Sequence, residues 1–425
     1  MNTPAPALRS TTLAWLAYCR PGFERDLAEE LHARFHCDAT NPVESSGFVI
    51  APGARLKTLS ETAVATLTFA RQLVLTNATP VVLTTNDRVN PILDALVAFM
   101  AANHIAAVTD CWIEYPDTND GKALSRAAKA IEPRLRDALI QDNKIAGHAK
   151  YRAHVFLTPS KQAWVGLADM NLAAPDFLGI PRIRMPHDAP SRSTLKLAEA
   201  FHVFLADNES QALQPDMRAV DLGAAPGGWT WQLIGRGIRV TAVDNGDLKG
   251  DLVDNAMVKH LRLDGFKYQP NVPVDWMVCD MVESPSRIAT LVAKWLTQGW
   301  ARYIIFNLKL PMKKRAGEVL RCEQIIGTAC EEAGLALVLQ LKQLYHDREE
   351  VTGFATIPTK RSQFAHNRAA VKPADKAERA PVNKRETPVT VAVAKPPPRK
   401  IKGTSPWSAT PPPKGTVKQK RRMSS

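Results

Sequence analysis

The sequence predicts an α/β protein whose second half folds as a doubly wound sheet. From residue 216 to about residue 358, short apolar runs alternate with stretches of helical periodicity. The predicted strands are residues 219–222, 239–243, 276–279, 303–308, 335–341 and 350–357. The first run leads into a loop of small residues, AVDLGAAPGGWT at 219–230, at a strand end where such sheets bind ligands. We therefore expect a parallel sheet with helices on both faces.

A smaller α+β region is expected before this sheet, over residues 1–168. Its predicted strands are residues 13–18, 47–50, 72–83, 112–115 and 152–157, and a basic helix is predicted at 122–139. Pro21 suits the first turn of another helix, whose apolar stripe is Phe23, Leu27, Leu31 and Phe35. The polar segment TTND at 84–87 offers N-cap groups for a third helix, which contains the apolar residues Leu93, Leu96, Val97 and Met100.

Residues 169–192 contain four prolines and are expected to form a linker that lies along the surface. Ser193 is then expected to cap a helix with Leu197, Phe201, Phe204 and Leu205 on one face. The predicted organisation is therefore a region at 1–168, the linker, a larger α/β domain at 193–360, and a tail at 361–425.

The charge of the chain is concentrated in the tail. Residues 361–425 hold 16 Lys and Arg against 3 Asp and Glu, so they carry the whole formal net charge of +13. This Pro- and Lys-rich composition is typical of disordered segments. The tail is either a solvated extension or an arm that tethers RNA. Any nucleic-acid contact on the electrically neutral body must come from a local patch.

The six cysteines, in contrast, indicate no special chemistry. They form no C-x-x-C pair and no zinc-finger spacing, which favours reduced thiols and no metal site. The N-terminus lacks the pattern of a signal peptide, and no apolar run is long enough for a membrane span. We expect a cytoplasmic protein without membrane contact, and a monomer.

The loop at 219–230 and the acidic residues after it suggest a nucleoside ligand. Gly223, Gly227 and Gly228 allow a sharp turn and a close approach to a ligand, although a glycine turn without a ligand is an alternative. The spacing does not fit G-x-G-x-x-G. Asp244 lies 21 positions after Gly223, near the offset at which a carboxylate meets an adenosine ribose, or it caps a helix. Asp264 either meets an adenine amino group or belongs to an Asp-Gly turn.

Four charged residues lie at element ends that could share one cleft. Asp280 and Lys309 follow apolar strands, Lys196 lies in the helix before the sheet, and Glu349-Glu350 opens the last strand. If the sheet order is standard, they converge. A ribose 2′-hydroxyl is a poor nucleophile, and a lysine with a lowered pKa could remove its proton. In this scheme Asp280 orients the lysine amine and Lys196 helps to lower its pKa.

Several segments resemble bacterial 23S rRNA cytidine 2′-O-ribose methyltransferases. They are CRPGFE (19–24), FARQ (69–72), SRSTLK (191–196), WMVCDM (276–281), FNLKLPMKK (306–314) and LYHDREEV (344–351). Lys196, Asp280, Lys309 and Glu350 match the K-D-K-E tetrad of ribose 2′-O-methyltransferases. Glu350 is preferred over Glu349 because it directly precedes the strand, but the choice stays open.

The resemblance implies a THUMP-type RNA-binding region, a Rossmann-like class I methyltransferase domain, S-adenosyl-L-methionine as cofactor and 23S rRNA as partner. It assigns the proton acceptor to Lys309. The implied cofactor contacts are Ser193, Ala225, Pro226, Gly227, Gly228, Asp244, Asp264 and Asp280. Ala225 stands where the family often has Cys, and the long basic tail departs from the compact family pattern.

Two alternatives stay open at this point. One is a base methyltransferase, although the N-P-P-Y-like turn of exocyclic-amine methylation is absent after the fourth strand, where DMVE stands at 280–283. A cytosine C5 methyltransferase needs a nucleophilic cysteine, and Cys279 lies inside an apolar strand. The other alternative is a non-catalytic RNA-binding or ribosome-assembly factor.

Overall fold

The computed structural model describes residues 12–39 and 42–358, and the predictions for the tail at 361–425 lie outside them. The elements of the first half are β1 (Leu13–Tyr18), α1 (Glu24–Phe35), β2 (Phe48–Pro52), α2 (Leu56–Leu59), β3 (Gln72–Asn77), β4 (Val81–Val82), α3 (Val89–Ala102), β5 (Cys111–Glu114), α4 (Asn119–Ala123), α5 (Ser125–Gln141), β6 (Tyr151–Thr158) and β7 (Gln162–Asp169). The strands form one sheet in the order β2-β1-β3-β7-β6-β5, with β4 paired to β7. The α+β prediction for this region is confirmed.

Strand β7 is the main element that the sequence reasoning missed. It pairs with β3, β4 and β6 in the middle of the sheet. Gly166 within it explains the omission, because glycine weakens a strand pattern. Here the glycine is required by packing, since a Cβ at this position would lie 2.2 Å from the Leu75 carbonyl oxygen. The predicted basic helix also divides into α4 and α5 at Leu124.

Two local predictions about this region are wrong. Pro21 lies in a turn and not in a helix, because Gly22 adopts φ +91° and α1 begins only at Glu24. The linker does not merely follow the surface. Leu178 and Ile180 are buried against the sheet face that contains Leu16, and the Leu178 N–H donates to the Glu114 carboxylate at 2.8 Å.

The second half contains α6 (Thr194–Leu205), α7 (Glu209–Ala212), β8 (Arg218–Leu222), α8 (Gly228–Ile234), β9 (Arg239–Val243), β10 (Val258–Leu261), β11 (Val274–Cys279), α9 (Pro285–Thr297), β12 (Ala301–Lys309), α10 (Arg315–Glu332), β13 (Val338–Lys342) and β14 (Glu350–Thr356). The sheet order is β10-β9-β8-β11-β12-β14-β13. Alternate residues of β11 pack on opposite faces: Met277 and Cys279 with α9 and α10, Trp276 and Val278 with α6 and α8. Helices on both faces are therefore confirmed.

The expectation of an all-parallel sheet is wrong at one edge. Strands β8 to β12 pair in parallel, but β14 runs antiparallel to both β12 and β13. Only residues 343–349 connect β13 to β14, and a parallel connection needs a dozen residues or more. The reversal places the first residue of β14 beside the last residue of β12.

The two halves of the described chain belong to one compact unit, and polar side chains of the second half bond to a helix and to loops of the first half. Lys342, at the end of β13, donates to the carbonyl oxygens of Val64, Leu67 and Ala70 at 2.7, 2.8 and 2.5 Å. Three carbonyls match the three N–H groups of an ammonium ion. Arg315 adds a second contact, since its guanidinium bonds to Asp26 at 3.0 Å and to the Gly22 carbonyl at 2.6 Å.

Candidate active site

The carboxyl edge of the second sheet gathers the four charged residues of the predicted tetrad. Asp280 directly follows β11, Lys309 ends β12 and Glu350 begins β14, while Lys196 reaches the edge from α6. Strand register explains the central pair, because Lys309 and Glu350 are direct cross-strand partners in the antiparallel β12–β14 ladder. The sequence prediction that these residues share one cleft agrees with this placement.

The four side chains alternate in charge. The Lys309 ammonium contacts Asp280 Oδ1 and lies 3.0 Å from Glu350 Oε1. The Lys196 ammonium contacts Glu350 Oε2 and lies 3.8 Å from Asp280 Oδ2. Each carboxylate therefore faces both lysines. The side chains are only 15–21 % exposed, so solvent screens these attractions weakly.

Glu349 and Glu350 have different surroundings although they are neighbours. The Glu349 side chain is 60 % exposed and pairs with Arg315 at 2.7 Å. Alternation along the strand turns Glu350 towards the lysines. The geometry therefore favours Glu350 over Glu349 as the fourth member of the cluster.

The charge state of Lys309 differs from the sequence-based expectation. Burial alone would lower the pKa of its amine, but the charges of Asp280 and Glu350 and their hydrogen bonds outweigh burial and raise that pKa above its usual value. The expectation that Lys196 helps to lower the Lys309 pKa is therefore wrong, because each lysine is matched by a carboxylate. Lys309 is an ammonium group here at neutral pH.

The loop between β8 and α8 and the residues after β9 line the same edge. Gly227 adopts φ +113°, which favours glycine, and α8 begins at the next residue. Asp244 follows β9 and accepts the N–H groups of Ala225 at 3.0 Å and Gly246 at 2.7 Å. Asp264, three residues after β10, is exposed and accepts the Phe266 N–H at 2.9 Å.

The hydrogen bonds of Asp244 leave acceptor capacity for an adenosine-type cofactor. Each Asp244 oxygen has used one lone pair and retains another, so the carboxylate can accept two ribose hydroxyls. Asp221, the residue before the last one of β8, is fully buried, and its Oδ1 has no hydrogen-bond partner among the described residues. Burial raises the pKa of this carboxyl to about 7. The donor and acceptor set fits the cofactor, and the binding roles of these residues stay predictions.

Ser193 lies next to the glycine loop but does not cap α6 with its side chain. The φ and ψ angles of Ser193 are helical, so its Oγ does not reach the backbone N–H groups that an N-cap side chain satisfies. The Ser193 Oγ instead bonds to Ser191 Oγ at 2.6 Å. Its carbonyl accepts the Trp229 indole N–H at 3.1 Å. A Cβ on Gly228 would lie 2.3 Å from Ser193 Oγ. The start of α6 is therefore held tightly against the start of α8.

Three polar residues next to the tetrad were missed by the sequence reasoning. Asn307, Asp347 and Thr352 are fully buried and hydrogen-bonded to one another or to the tetrad. The sequence does contain an indication of two of them, because Asn307 and Thr352 are polar residues within otherwise apolar strands. Cys279, in contrast, is an inert core residue, since burial raises the pKa of its thiol to about 12.

The described residues contain neither a metal cluster nor a membrane-spanning helix. No cluster of His, Cys, Asp and Glu suited to a metal ion is found among residues 12–39 and 42–358. Within the described part of the chain, no helix combines the length and apolar character that a membrane crossing requires.

Comparison with known proteins first defines the class. A family profile described as "FtsJ-like methyltransferase" matches residues 189–332, the part that contains the glycine loop and the tetrad lysines. The protein is therefore a methyltransferase with a Rossmann-like catalytic domain. A second profile, "Ribosomal RNA large subunit methyltransferase M, N-terminal", matches residues 87–169.

Whole-chain relatives then give the family. The protein of Laribacter hongkongensis named "Ribosomal RNA large subunit methyltransferase M" is 46% identical over 82% of this chain and 98% of its own length. The protein of the same name from Methylococcus capsulatus is 44% identical over 80% and 97%. The chain belongs to this family. Among solved structures, Aeropyrum pernix fibrillarin with bound S-adenosyl-L-methionine is 16% identical with a TM-score of 0.29, over 49% of this chain and 85% of its own.

Proposed function

We propose that this protein transfers a methyl group to the 2′-hydroxyl of a ribose in large-subunit ribosomal RNA. The family resemblance points to a cytidine of 23S rRNA. The observation that carries the proposal is the set of two lysines and two carboxylates at the carboxyl edge of the sheet, beside the glycine loop. The names of the relatives support ribosomal RNA as the substrate.

The tetrad suits a hydroxyl acceptor because a hydroxyl must lose its proton as it attacks. Lys309 is the proposed general base, and Asp280 and Glu350 orient its amine. Lys196 neutralises the second oxygen of each carboxylate, so neither acid is left as an uncompensated buried charge. When bound, S-adenosyl-L-methionine would supply a methyl group on a positively charged sulfur, and a positive charge near Lys309 would oppose protonation of the amine.

The proposed cofactor contacts are the loop residues and the acids next to it. Ala225, Pro226, Gly227 and Gly228 would offer backbone groups, with Ser193 packed against them. Asp244 would accept the ribose hydroxyls and Asp264 would meet the adenine. Asp280 contacts Lys309 and would also contact the cofactor, which would bring the methyl donor and the base next to each other.

Replacement of Lys309 by alanine tests the base. General-base catalysis typically contributes 10²–10⁴-fold, so Lys309→Ala is expected to lose at least about 100-fold in kcat while it still binds the cofactor. Lys294→Ala, in the last turn of α9, is the matched control and should leave kcat unchanged. A fully active Lys309→Ala enzyme would exclude Lys309 as the base.

Mapping of methylated nucleosides tests the acceptor. Ribosomal RNA from cells with and without this protein is digested and analysed for 2′-O-methyl and base-methyl nucleosides. The proposal expects one 2′-O-methylcytidine to disappear from 23S rRNA when the protein is absent. Loss of a base-methylated nucleoside would support a base methyltransferase, and an unchanged pattern would support a non-catalytic factor.

RNA binding is proposed for the N-terminal region at 1–168 and for the tail. Removal of residues 361–425 takes away 16 of the 55 Lys and Arg residues. If the tail tethers RNA, the truncated protein should bind RNA more weakly, with a shallower dependence of log K on log salt concentration. An unchanged slope would leave the tail as a passive extension.

A further inference from the structure

Asn307 lies behind the tetrad and contacts both of its acids. It lies two residues before Lys309 on β12, so its side chain is on the same face of the strand. Its Nδ2 donates to Asp280 Oδ1 at 2.9 Å and to Glu350 Oε2 at 3.2 Å. One amide group therefore bridges two like-charged groups, and it is fully buried.

The other side of the Asn307 amide faces a second buried acid through a hydroxyl. Thr352 is the cross-strand partner of Asn307 on β14. Its Oγ1 lies 2.7 Å from Asn307 Oδ1 and 2.8 Å from Asp347 Oδ2. Asp347 is fully buried as well. The five groups form a continuous chain from Asp347 through Thr352 and Asn307 to the two tetrad acids.

The direction of this chain follows from counting protons. A flipped Asn307 would place its oxygen against two carboxylates, so its NH₂ group must face Asp280 and Glu350. Asn307 Oδ1 must then accept the single hydroxyl proton of Thr352. The Thr352 oxygen can contact Asp347 Oδ2 favourably only as an acceptor, which requires a proton on Asp347.

We propose that Asn307 is a positioning residue for methyl transfer, which holds Asp280 and Glu350 on Lys309 through a buried hydrogen-bond chain that begins at a protonated Asp347. This inference rests on the proposed function of the tetrad. Without the shared donor, the two carboxylates repel each other and the geometry around Lys309 loosens. Burial and the nearby charge of Glu350 raise the pKa of Asp347 well above its usual value, in agreement with a protonated acid.

Isosteric variants break the chain without removing volume. Thr352→Val and Asn307→Leu are expected to lower kcat about 100-fold, the cost of a misplacement of about 1 Å. Thr352→Ser keeps the hydroxyl and should recover most of the rate. The control is Thr356→Val on the same strand, because Thr356 Oγ1 bonds to the Arg302 carbonyl and not to the cluster. A wild-type rate in Thr352→Val would overturn the proposal.

The end of the chain is tested at Asp347. Asp347→Asn keeps an N–H donor and should recover most of the rate that Asp347→Leu loses. If the Asp347→Asn enzyme is as slow as the Asp347→Leu enzyme, the proposal that Asp347 is protonated is wrong.

A readout independent of the methyl acceptor is the pKa of Lys309, followed by NMR of ¹³C-labelled lysine in the whole protein. Displaced carboxylates stabilise the ammonium less, so the pKa should fall in Thr352→Val. An unshifted titration overturns the positioning role. If wild-type protein methylates no ribose but the titration shifts, the proposed function fails while the positioning stands.

Discussion

Glu350→Gln should move the pH dependence of methyl transfer to lower pH. In the wild-type protein the Lys309 pKa is raised, so only a small deprotonated fraction is available as base at neutral pH. If Lys309 is the base, the single-turnover rate should rise about tenfold per pH unit up to the Lys309 pKa. The glutamine removes one of the two charges that hold the proton on this amine.

The size of the shift follows from the distance. Lys309 Nζ and Glu350 Oε1 are 3.0 Å apart, and at an effective dielectric constant of about 20 this separation gives about 5.5 kcal/mol of attraction. Solvent at the partly exposed edge reduces this figure, and so does Lys196, which shares the same carboxylate. A nearby opposite charge typically shifts a pKa by about 1–3 units, and we expect the ascending limb to move down by that amount. Lys196, left without its glutamate, acts in the same direction.

The assay is a single-turnover pH–rate profile with saturating cofactor and RNA. Glu349→Gln is the matched control, since Glu349 is the adjacent residue but pairs with Arg315 outside the cluster. Its profile should coincide with that of the wild type. An unshifted limb in Glu350→Gln, or an equal shift in both variants, would refute the reasoning. A wild-type rate that does not vary with pH would exclude Lys309 as the base.

Two further predictions concern glycines. Gly228→Ala should lower cofactor affinity, because the new Cβ would lie 2.3 Å from Ser193 Oγ and relief of this clash would displace loop residues that are proposed to contact the cofactor. Isothermal titration would measure it, and Gly235→Ala at the other end of α8 should bind normally because nothing lies closer than 3.3 Å. Gly353→Ala should reduce the free energy of unfolding by about 1–3 kcal/mol, since its Cβ would lie 2.3 Å from the buried Phe306 ring. Urea unfolding that matches the wild type would contradict this packing argument.

The larger sheet could be predicted because its local signals agree with one another. The apolar runs of β8, β9, β11 and β12 are short and each ends in a loop or a charged residue, so the strands and their carboxyl ends follow from the sequence. Asp280 and Lys309 were placed at those ends for this reason. The position of β7 was not predictable in the same way, because its glycine is explained only by the backbone of β3.

The candidate site, too, was predictable only in part from the sequence. A strand that ran parallel to β12 would begin at the opposite edge of the sheet, and Glu350 would then lie far from Lys309. The antiparallel direction of β14 brings them together, and it also pairs Asn307 with Thr352. Strand direction is a long-range property, so residue spacing along the chain does not specify it.

The sequence by itself determined the α+β region, the α/β domain after it, the basic tail and the residue types of the tetrad. Periodicity and motif spacing involve residues that are close together in the chain, so they can be read from the sequence alone. Only the tertiary structure decided that Glu350 and not Glu349 joins the cluster, that Lys309 carries a raised pKa, and that a buried chain from Asp347 supports both acids. Register, burial and charge pairing produce these properties, and each depends on residues far apart in the chain.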